Sequence, residues 1–310
     1  MAGTGWVWAA RRWAVSLKVL VTGAHGQLGQ ELMGRGADAG FAPVGLGRSE
    51  LDIADRGAVE RAMATVDPDL VVNAAAYTAV DQAESEPERA HAINADGPRH
   101  LARACAVAKV PLIHVSTDYV FDGTKAEGYA EDDPVAPLQV YGASKEVGER
   151  AVREELPEHL IIRTAWVYSS HHRNFVLTMR QLAAERDELR VVGDQLGSPT
   201  WAGELAEAIY AMAARLEGGD KFGTYHFAGA GSTSWAGFAQ AVMELAPPDG
   251  RPAPPVVPIP AAGFPRPAQR PANSVLRCDK IGRLFGIAPR PWRDALAEVA
   301  RELRAVEAPR

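Results

Sequence analysis

The regular pattern of the chain begins at Leu17-Lys18-Val19-Leu20-Val21-Thr22, six residues in which aliphatic side chains occupy both alternations, as they do in a strand buried on both faces. Short runs of the same kind recur at 42–46, 69–73, 110–115 and 159–164. Helical stretches separate most of them, one from about Gln30 and others over 55–65, 84–109 and 141–155. Strands alternating with helices predict an α/β fold with a doubly wound parallel sheet. Beyond Thr164 the pattern loosens into a loop through His171 and His172, a helix over 175–184 and a strand over 189–192. A helix over 203–216, a strand over 224–228 and a helix over 235–245 follow. The Pro-rich stretch 247–271 is expected to cross the surface as a loop, because proline suits neither a helix interior nor a central strand. A last helix is expected near Trp292, with Pro291 suited to its first turn.

Composition agrees with a folded globular protein. The 310 residues are 47% hydrophobic and 23% charged, which argues against wholesale disorder and leaves room for about two domains. Lys plus Arg number 33 against 39 Asp plus Glu, a net charge of -6, so a nucleic-acid partner is not expected. Cys105 and Cys278 are too few for a disulfide scaffold and have no zinc-site spacing, which fits a reducing cytoplasm. In residues 1–16, Arg11 and Arg12 follow the short apolar stretch instead of preceding it, the wrong order for a signal peptide. No apolar run reaches the roughly 20 residues of a membrane-spanning helix, so no membrane partner is expected.

Straight after the first strand come Gly23, Gly26 and Gly29, spaced by three and leading into a helix. Glycine there permits a tight turn, close approach of a pyrophosphate and close helix-on-strand packing, while the free N–H groups of the helix start favour an anion. The expected ligand is a dinucleotide. The acidic residue that would hold an adenosine ribose is replaced by Gly45-Leu-Gly47-Arg48-Ser49. Arg48 could pair with a 2′-phosphate, which favours NADPH and leaves NADH as the alternative. Asp52-Ile53 stands where the third strand is expected to end, making Asp52 a candidate acceptor for the adenine amino group or an N-cap of the next helix.

Tyr141-Gly-Ala-Ser-Lys145 places a phenol and an ammonium four residues apart, on one face of a helix. A fixed positive charge near the phenol is expected to lower its pKa from about 10 and make it a better proton-transfer group. Ser116-Thr117 follows an apolar run, which sets the Thr117 hydroxyl at the carboxyl end of a parallel strand, where ligands of open α/β sheets bind. It could donate to a carbonyl oxygen as charge develops there, or cap the loop that follows.

A glycine triplet, a Ser/Thr at a strand end and Tyr-x3-Lys together resemble the extended short-chain dehydrogenase/reductase family. Within it, seven ordered blocks are similar to the dTDP-4-dehydrorhamnose reductase family. They are Gly26-Gln-Leu-Gly29, Leu51-Asp-Ile-Ala-Asp55, Asn73-Ala-Ala-Ala-Tyr77-Thr-Ala-Val-Asp81, Ser116-Thr-Asp-Tyr-Val-Phe-Asp-Gly123, Arg163-Thr-Ala-Trp166-Val-Tyr168, Asp194-Gln-Leu-Gly-Ser-Pro-Thr200 and Arg270-Pro-Ala-Asn-Ser-Val-Leu276. The similarity runs from about Leu17 to Trp292.

The resemblance implies an NADP-dependent reductase of a dTDP-4-keto-6-deoxy sugar, catalysed by Thr117, Tyr141 and Lys145. The cofactor would touch Gly23, His25, Gly26, Gln27, Leu28, Gly29, Arg48, Asp52, Ile53, Asn73, Ala74 and Ala75, together with Tyr141 and Lys145. Thr117, Asp118 and Trp166 would face the sugar, and Arg270 and Asn273 the nucleotide diphosphate. The domains expected are an irregular extension over 1–16, a Rossmann domain over 17–165, and a mainly substrate-binding lobe over 166–310 with some segments returning to the Rossmann domain. A monomer or homodimer is expected.

Three further readings follow from the same resemblance. Sugar-nucleotide dehydratases share Thr117-Asp118 but carry a glutamate next, where this chain has Tyr119, so dehydration is not expected. Ketosugar reductases of antibiotic biosynthesis, of the dihydrostreptose synthase type, would carry the same blocks. The regulatory subunit of methionine adenosyltransferase uses the scaffold without catalysis, and fold alone does not separate it; intact Thr117, Tyr141 and Lys145 favour an enzyme. Some relatives bind Mg2+ through acidic residues, one of them matching Glu31. Glu185, Asp187 and Glu188 are candidates by proximity alone, and these acids, like His171 and His172, are read as solvated surface residues rather than ligands.

Overall fold

The computed structural model describes residues 16–216, 221–248 and 252–307; most of the 1–16 extension lies outside them. In chain order its elements begin with β1 (Leu17–Thr22), α1 (Gln27–Arg35), β2 (Phe41–Leu46), α2 (Arg56–Val66), β3 (Leu70–Asn73), α3 (Val80–Ala83), α4 (Pro87–His91) and α5 (Gly97–Ala108). Next come β4 (Leu112–Thr117), α6 (Val140–Glu155), β5 (His159–Thr164), β6 (Val167–Tyr168), α7 (Phe175–Glu185), β7 (Leu189–Val192), β8 (Leu196–Gly197), β9 (Thr200–Trp201) and α8 (Ala202–Ala213). The last are β10 (Gly223–His226), β11 (Thr233–Ser234), α9 (Trp235–Leu245), β12 (Val256–Ile259), α10 (Asp279–Phe285) and α11 (Trp292–Glu307).

Six strands form one sheet in the order β10-β5-β4-β3-β1-β2, every pair parallel. Period-two alternation feeds two cores. Val19, Val21, Leu70, Val72, Ile113 and Ile162 pack on one side with α1, α8 and α10. Leu20, Val71, Leu112 and Ile161 pack on the other with α2, α5 and α6. The chain runs outward from β1 to β2 and then back across to β3, so the sheet's switch point lies where β1 and β3 end, the usual crevice for a ligand. A third core joins α7, α9, α11 and β7.

Two elements differ from the sequence expectation. The single helix expected over 84–109 is three pieces, because Pro87 starts α4 and Pro98 starts α5. Pro98 has no N–H to give the Asn94 carbonyl, and the ladder shifts into a π-helical turn, Ala92–Asp96, closed by Gly97 N–H on Ala92 O. Within the stretch 247–271, β12 pairs with β7 despite Pro258. The carbonyls of Pro255 and Ile259 face β7, which turns Pro258 to the open edge, where a missing donor costs nothing.

Candidate active site

The turn after β1 is closed by Gly26 N–H on Gly23 O at 2.9 Å, with Gly23 at φ +67. A Cβ on Gly23 would stand 2.7 Å from the backbone of Ala75, and one on Gly29 would stand 2.2 Å from Gly23 O. The loop after β3, the glycine turn and α1 are therefore in backbone contact. No side chain caps the start of α1, and its first turn carries no acid, so its amide donors remain for an anion. Asn73 is buried behind this surface. Its Oδ1 accepts from Thr22 Oγ1 at 2.6 Å and from Ala75 N at 3.2 Å, and its Nδ2 meets His114 Nδ1 at 2.9 Å. It ties together the ends of β1, β3 and β4.

The second half of the site is set by α6. Gln139 caps it by accepting from Gly142 N, and a Cβ on Gly142 would stand 2.0 Å from Tyr119 O. That close approach draws Tyr141 to the end of β4. Thr117 ends β4 and caps the 3-10 turn Asp118–Val120, accepting from Tyr119 N at 3.2 Å and donating to Asp118 Oδ1 at 3.0 Å. Lys145 is buried, and its Nζ donates to Val115 O at 2.7 Å.

These groups line one cleft of about 880 Å³, a size typical of small-molecule sites. Of the residues singled out in the sequence, Gly23, His25, Gly26, Gln27, Leu28, Arg48, Asp52, Ile53, Ala74, Ala75, Thr117, Asp118, Tyr141, Lys145 and Trp166 line it. Gly29 and Asn73 support it from beneath. Asp52 and Ile53 line it from the loop between β2 and α2, not from the end of β3, and Asp55, not Asp52, caps α2 by accepting from Ala58 N. Arg48 is exposed at the lip. The apolar walls, the capless helix start and the exposed guanidinium fit a phosphorylated dinucleotide.

Arg270 and Asn273 do not line the cleft. Arg270 pairs with Asp81 and donates to Ala268 O at 2.6 Å, and it also bonds the Tyr119 phenol of the cleft wall. Asn273 spends its amide on Lys125 O and Ala126 O at 2.8 and 3.0 Å and on Val275 N at 3.1 Å. Glu31 is taken up by Arg35 at 2.9 Å and faces His171 at 3.7 Å. Among the described residues no group of three His, Cys, Asp or Glu could hold a metal ion. His171 is half-buried rather than exposed, because its Nε2 reaches Gln27 O at 3.3 Å.

Trp235 and Arg173, which the sequence does not single out, line the cleft, as does Tyr119, which it marks only as standing in place of a dehydratase's glutamate. Trp166, at φ +47, stacks on Trp235 with ring centroids 3.5 Å apart. The other face of its indole lies on Gly197, where a Cβ would stand 2.3 Å away. The glycine of the Asp194–Thr200 block was the available signal.

Electrostatically, the expectation for Tyr141 is corrected. Burial and the nearby Asp118 charge push its phenol up to about 12, against a lowering by the Thr117 hydroxyl. Lys145 gives no lowering, because its ammonium is turned onto Val115 O. Burial in turn brings Lys145 down to about 8, opposed by Glu149. Burial raises Asp118 to about 7, against hydrogen bonds from Ser274 and Thr117. The cleft thus holds a protonated phenol, a hydroxyl aligned beside it and a buried ammonium, a set suited to delivering a proton to an oxygen.

A family model described as the RmlD substrate binding domain matches residues 17–305. A dTDP-4-dehydrorhamnose reductase of Sinorhizobium fredii is 45% identical over 282 residues, covering 90% of this chain and 95% of that protein. The solved structure of a dTDP-4-dehydrorhamnose reductase from Clostridium acetobutylicum superposes with a TM-score of 0.88 at 37% identity, covering 93% of this chain and 100% of the other. That of Bacillus anthracis in complex with NADP gives 0.86 at 36% identity, with coverage of 93% and 100%.

Proposed function

The chain belongs to the RmlD family of dTDP-4-dehydrorhamnose reductases, and from that premise we propose that it reduces the C4 keto group of dTDP-4-dehydro-L-rhamnose to dTDP-L-rhamnose with NADPH. The observation that carries the reading is the convergence of Thr117, Tyr141 and Lys145 on the cleft that the glycine turn opens. NADPH, when bound, supplies the hydride. The residues that would hold it are the glycine turn and the start of α1 for the pyrophosphate, Arg48 for the 2′-phosphate, and Ala74, Ala75 and Lys145 toward the nicotinamide end.

In this reading Tyr141 gives its proton to the sugar oxygen as charge grows there, and the single O–H of Thr117 turns from Asp118 Oδ1 to donate a hydrogen bond to the same oxygen. Lys145 orients the cofactor ribose and adds positive charge. The stacked Trp166 and Trp235 wall the sugar side, and Asp118 sits below it. Arg270 acts from behind the cleft by holding Tyr119 and Asp81. Two free thiols and the use of NADPH support a cytoplasmic location, and no described helix is long and apolar enough to cross a membrane. No arrangement of the described residues supports Mg2+ as a cofactor.

Incubating the purified protein with NADPH and dTDP-4-dehydro-L-rhamnose, with the product sugar identified by NMR, tests the assignment. A product of the opposite C4 configuration would point to a related ketosugar reductase, and no NADPH oxidation to a non-catalytic role. Cofactor choice gives a separate prediction. Arg48→Ala is expected to narrow the preference for NADPH over NADH, and equal affinities for both cofactors before and after the change would remove Arg48 from the account. Arg270→Ala, which frees Tyr119 and Asp81 behind the cleft wall, is expected to raise KM for the nucleotide sugar several-fold, by about the value of one internal hydrogen bond, with NADPH affinity nearly unchanged. A weakened NADPH affinity with a normal sugar KM would mean that the wall braced by Arg270 serves the cofactor and not the sugar.

A further inference from the structure

One helical turn beyond Lys145, Glu149 is wholly buried, at 0% exposure. Its Oε1 accepts from Ser116 Oγ at 2.6 Å and Arg163 Nε at 2.9 Å, and its Oε2 from Arg163 Nη2 at 2.7 Å and Arg153 Nη1 at 3.1 Å. A carboxylate is placed inside a protein only with this degree of pairing. The pairing with Arg163 alone would satisfy that cost anywhere in the core. Here it is placed so that two neighbouring residues of β4 are bonded to the same face of α6, Val115 through its carbonyl to Lys145 and Ser116 through its hydroxyl to Glu149. Thr117 is the next residue.

We propose that Glu149 is a positioning residue for the reduction, the buried counter-charge of Lys145 that also holds the Thr117 end of β4 against α6 through Ser116. The proposal rests on the reading of Lys145 as the ammonium that meets the cofactor. Residues four apart on a helix lie side by side, and Glu149 is the charge that opposes the loss of the Lys145 proton. Burial raises the Glu149 carboxyl, but Arg163, Ser116 and Arg153 together hold it below its ordinary value, so the anion persists at every pH where Lys145 titrates.

The other ionisable groups around this part of α6 are accounted for. His114 of β4 is kept neutral by burial and by the Lys145 charge. Arg163 of β5 and Arg153 of α6 are permanently charged. Tyr141 and Asp118 lie toward the cleft. The π-helical turn and α5 present the Asn94 carbonyl and Pro98 to α6 at Gly148, neither of which titrates.

The sign of the effect follows. Lys145 carries its charge below about 8, so NADPH affinity should fall as pH rises through that value. Removing an opposing charge at this range lowers an ammonium pKa by about one unit or more. NADPH dissociation constants measured by calorimetry between pH 6 and 9.5 test this in the wild type, Glu149→Gln, Glu149→Gln/Arg163→Met and Lys145→Met. The double variant keeps the test open where the single one strands Arg163 and fails to fold. The Arg163 donors are spent on Glu149 and Glu131 O and none reaches Lys145 or Val115, so the double variant still removes the counter-charge of Lys145. The expected result is an alkaline limb displaced at least about one pH unit to acid, binding at least about fivefold weaker near pH 8 and about tenfold weaker near pH 9, and affinity within about threefold of wild type at pH 6. A limb that stays in place in the folded double variant, or an affinity lowered equally at all pH values, would overturn the proposal. A limb that persists in Lys145→Met would instead overturn the reading of Lys145 itself.

Discussion

Tyr141→Phe is expected to lower kcat by roughly 10²–10⁴-fold while NADPH affinity stays within about twofold, because the change deletes a general acid but little volume. Phenylalanine keeps the ring that packs edge-on against Tyr119, with centroids 6.1 Å apart, so the cleft wall survives. What is lost is the proton. With the phenol pushed up to about 12, Tyr141 stays protonated across the neutral range, as a donor to an alkoxide must. The raised value therefore favours reduction: the proton is held until an oxygen more basic than the phenolate forms beside it. Thr117→Ala should cost less, since it removes a hydrogen bond and not the proton. Steady-state turnover with dTDP-4-dehydro-L-rhamnose and separate NADPH titrations would measure both halves of the prediction. Near-normal turnover in Tyr141→Phe would mean that another acid delivers the proton, and Asp118, raised to about 7 in the same cleft, would be the group to replace next.

What could be read from the sequence were features with a local cause. The central strands are legible because burial on both faces demands unbroken apolar runs, and the glycine turn because three glycines at fixed spacing have a steric reason. Tyr141 and Lys145 are legible because helical periodicity alone puts them on one face. Over 84–109 two prolines and a shifted hydrogen-bond ladder outweigh the continuous apolar spacing that predicts one helix. Features that depend on distant partners left no trace. Trp235 meets Trp166 only once α9 is packed, and Arg270 finds Asp81 across 189 residues, so the pairing that ties this arginine to the cleft wall has no local signal. The Tyr141 pKa departs from expectation for the same reason: spacing reveals which groups are neighbours on a helix, but not that burial outweighs the neighbouring charge, nor that the ammonium turns to Val115 O.

Gly29→Ala is the second change expected to have a large effect, and it separates close packing from helix propensity within one helix. The added methyl would stand 2.2 Å from Gly23 O and 2.6 Å from Ala24 Cα. Both are backbone atoms of the turn, so no side chain can swing aside and α1 itself must move off the sheet. Such overpacking costs about 1–3 kcal/mol, and it displaces the amide groups at the start of α1 from the turn they share. NADPH affinity should therefore fall by at least about tenfold, roughly the value of one charge-assisted hydrogen bond to a phosphate, together with a lower melting temperature. Gly34 lies on the exposed side of the same helix with nothing within 4 Å of its would-be Cβ. There alanine should stabilise by about 0.5–1 kcal/mol, the ordinary gain over glycine in a helix, with NADPH binding unchanged. Melting curves and NADPH titrations of the two variants in parallel give opposite signs in stability if contact at the turn decides the matter. Wild-type NADPH affinity in Gly29→Ala would mean that the packing of α1 on the glycine turn does not hold the cofactor's anion.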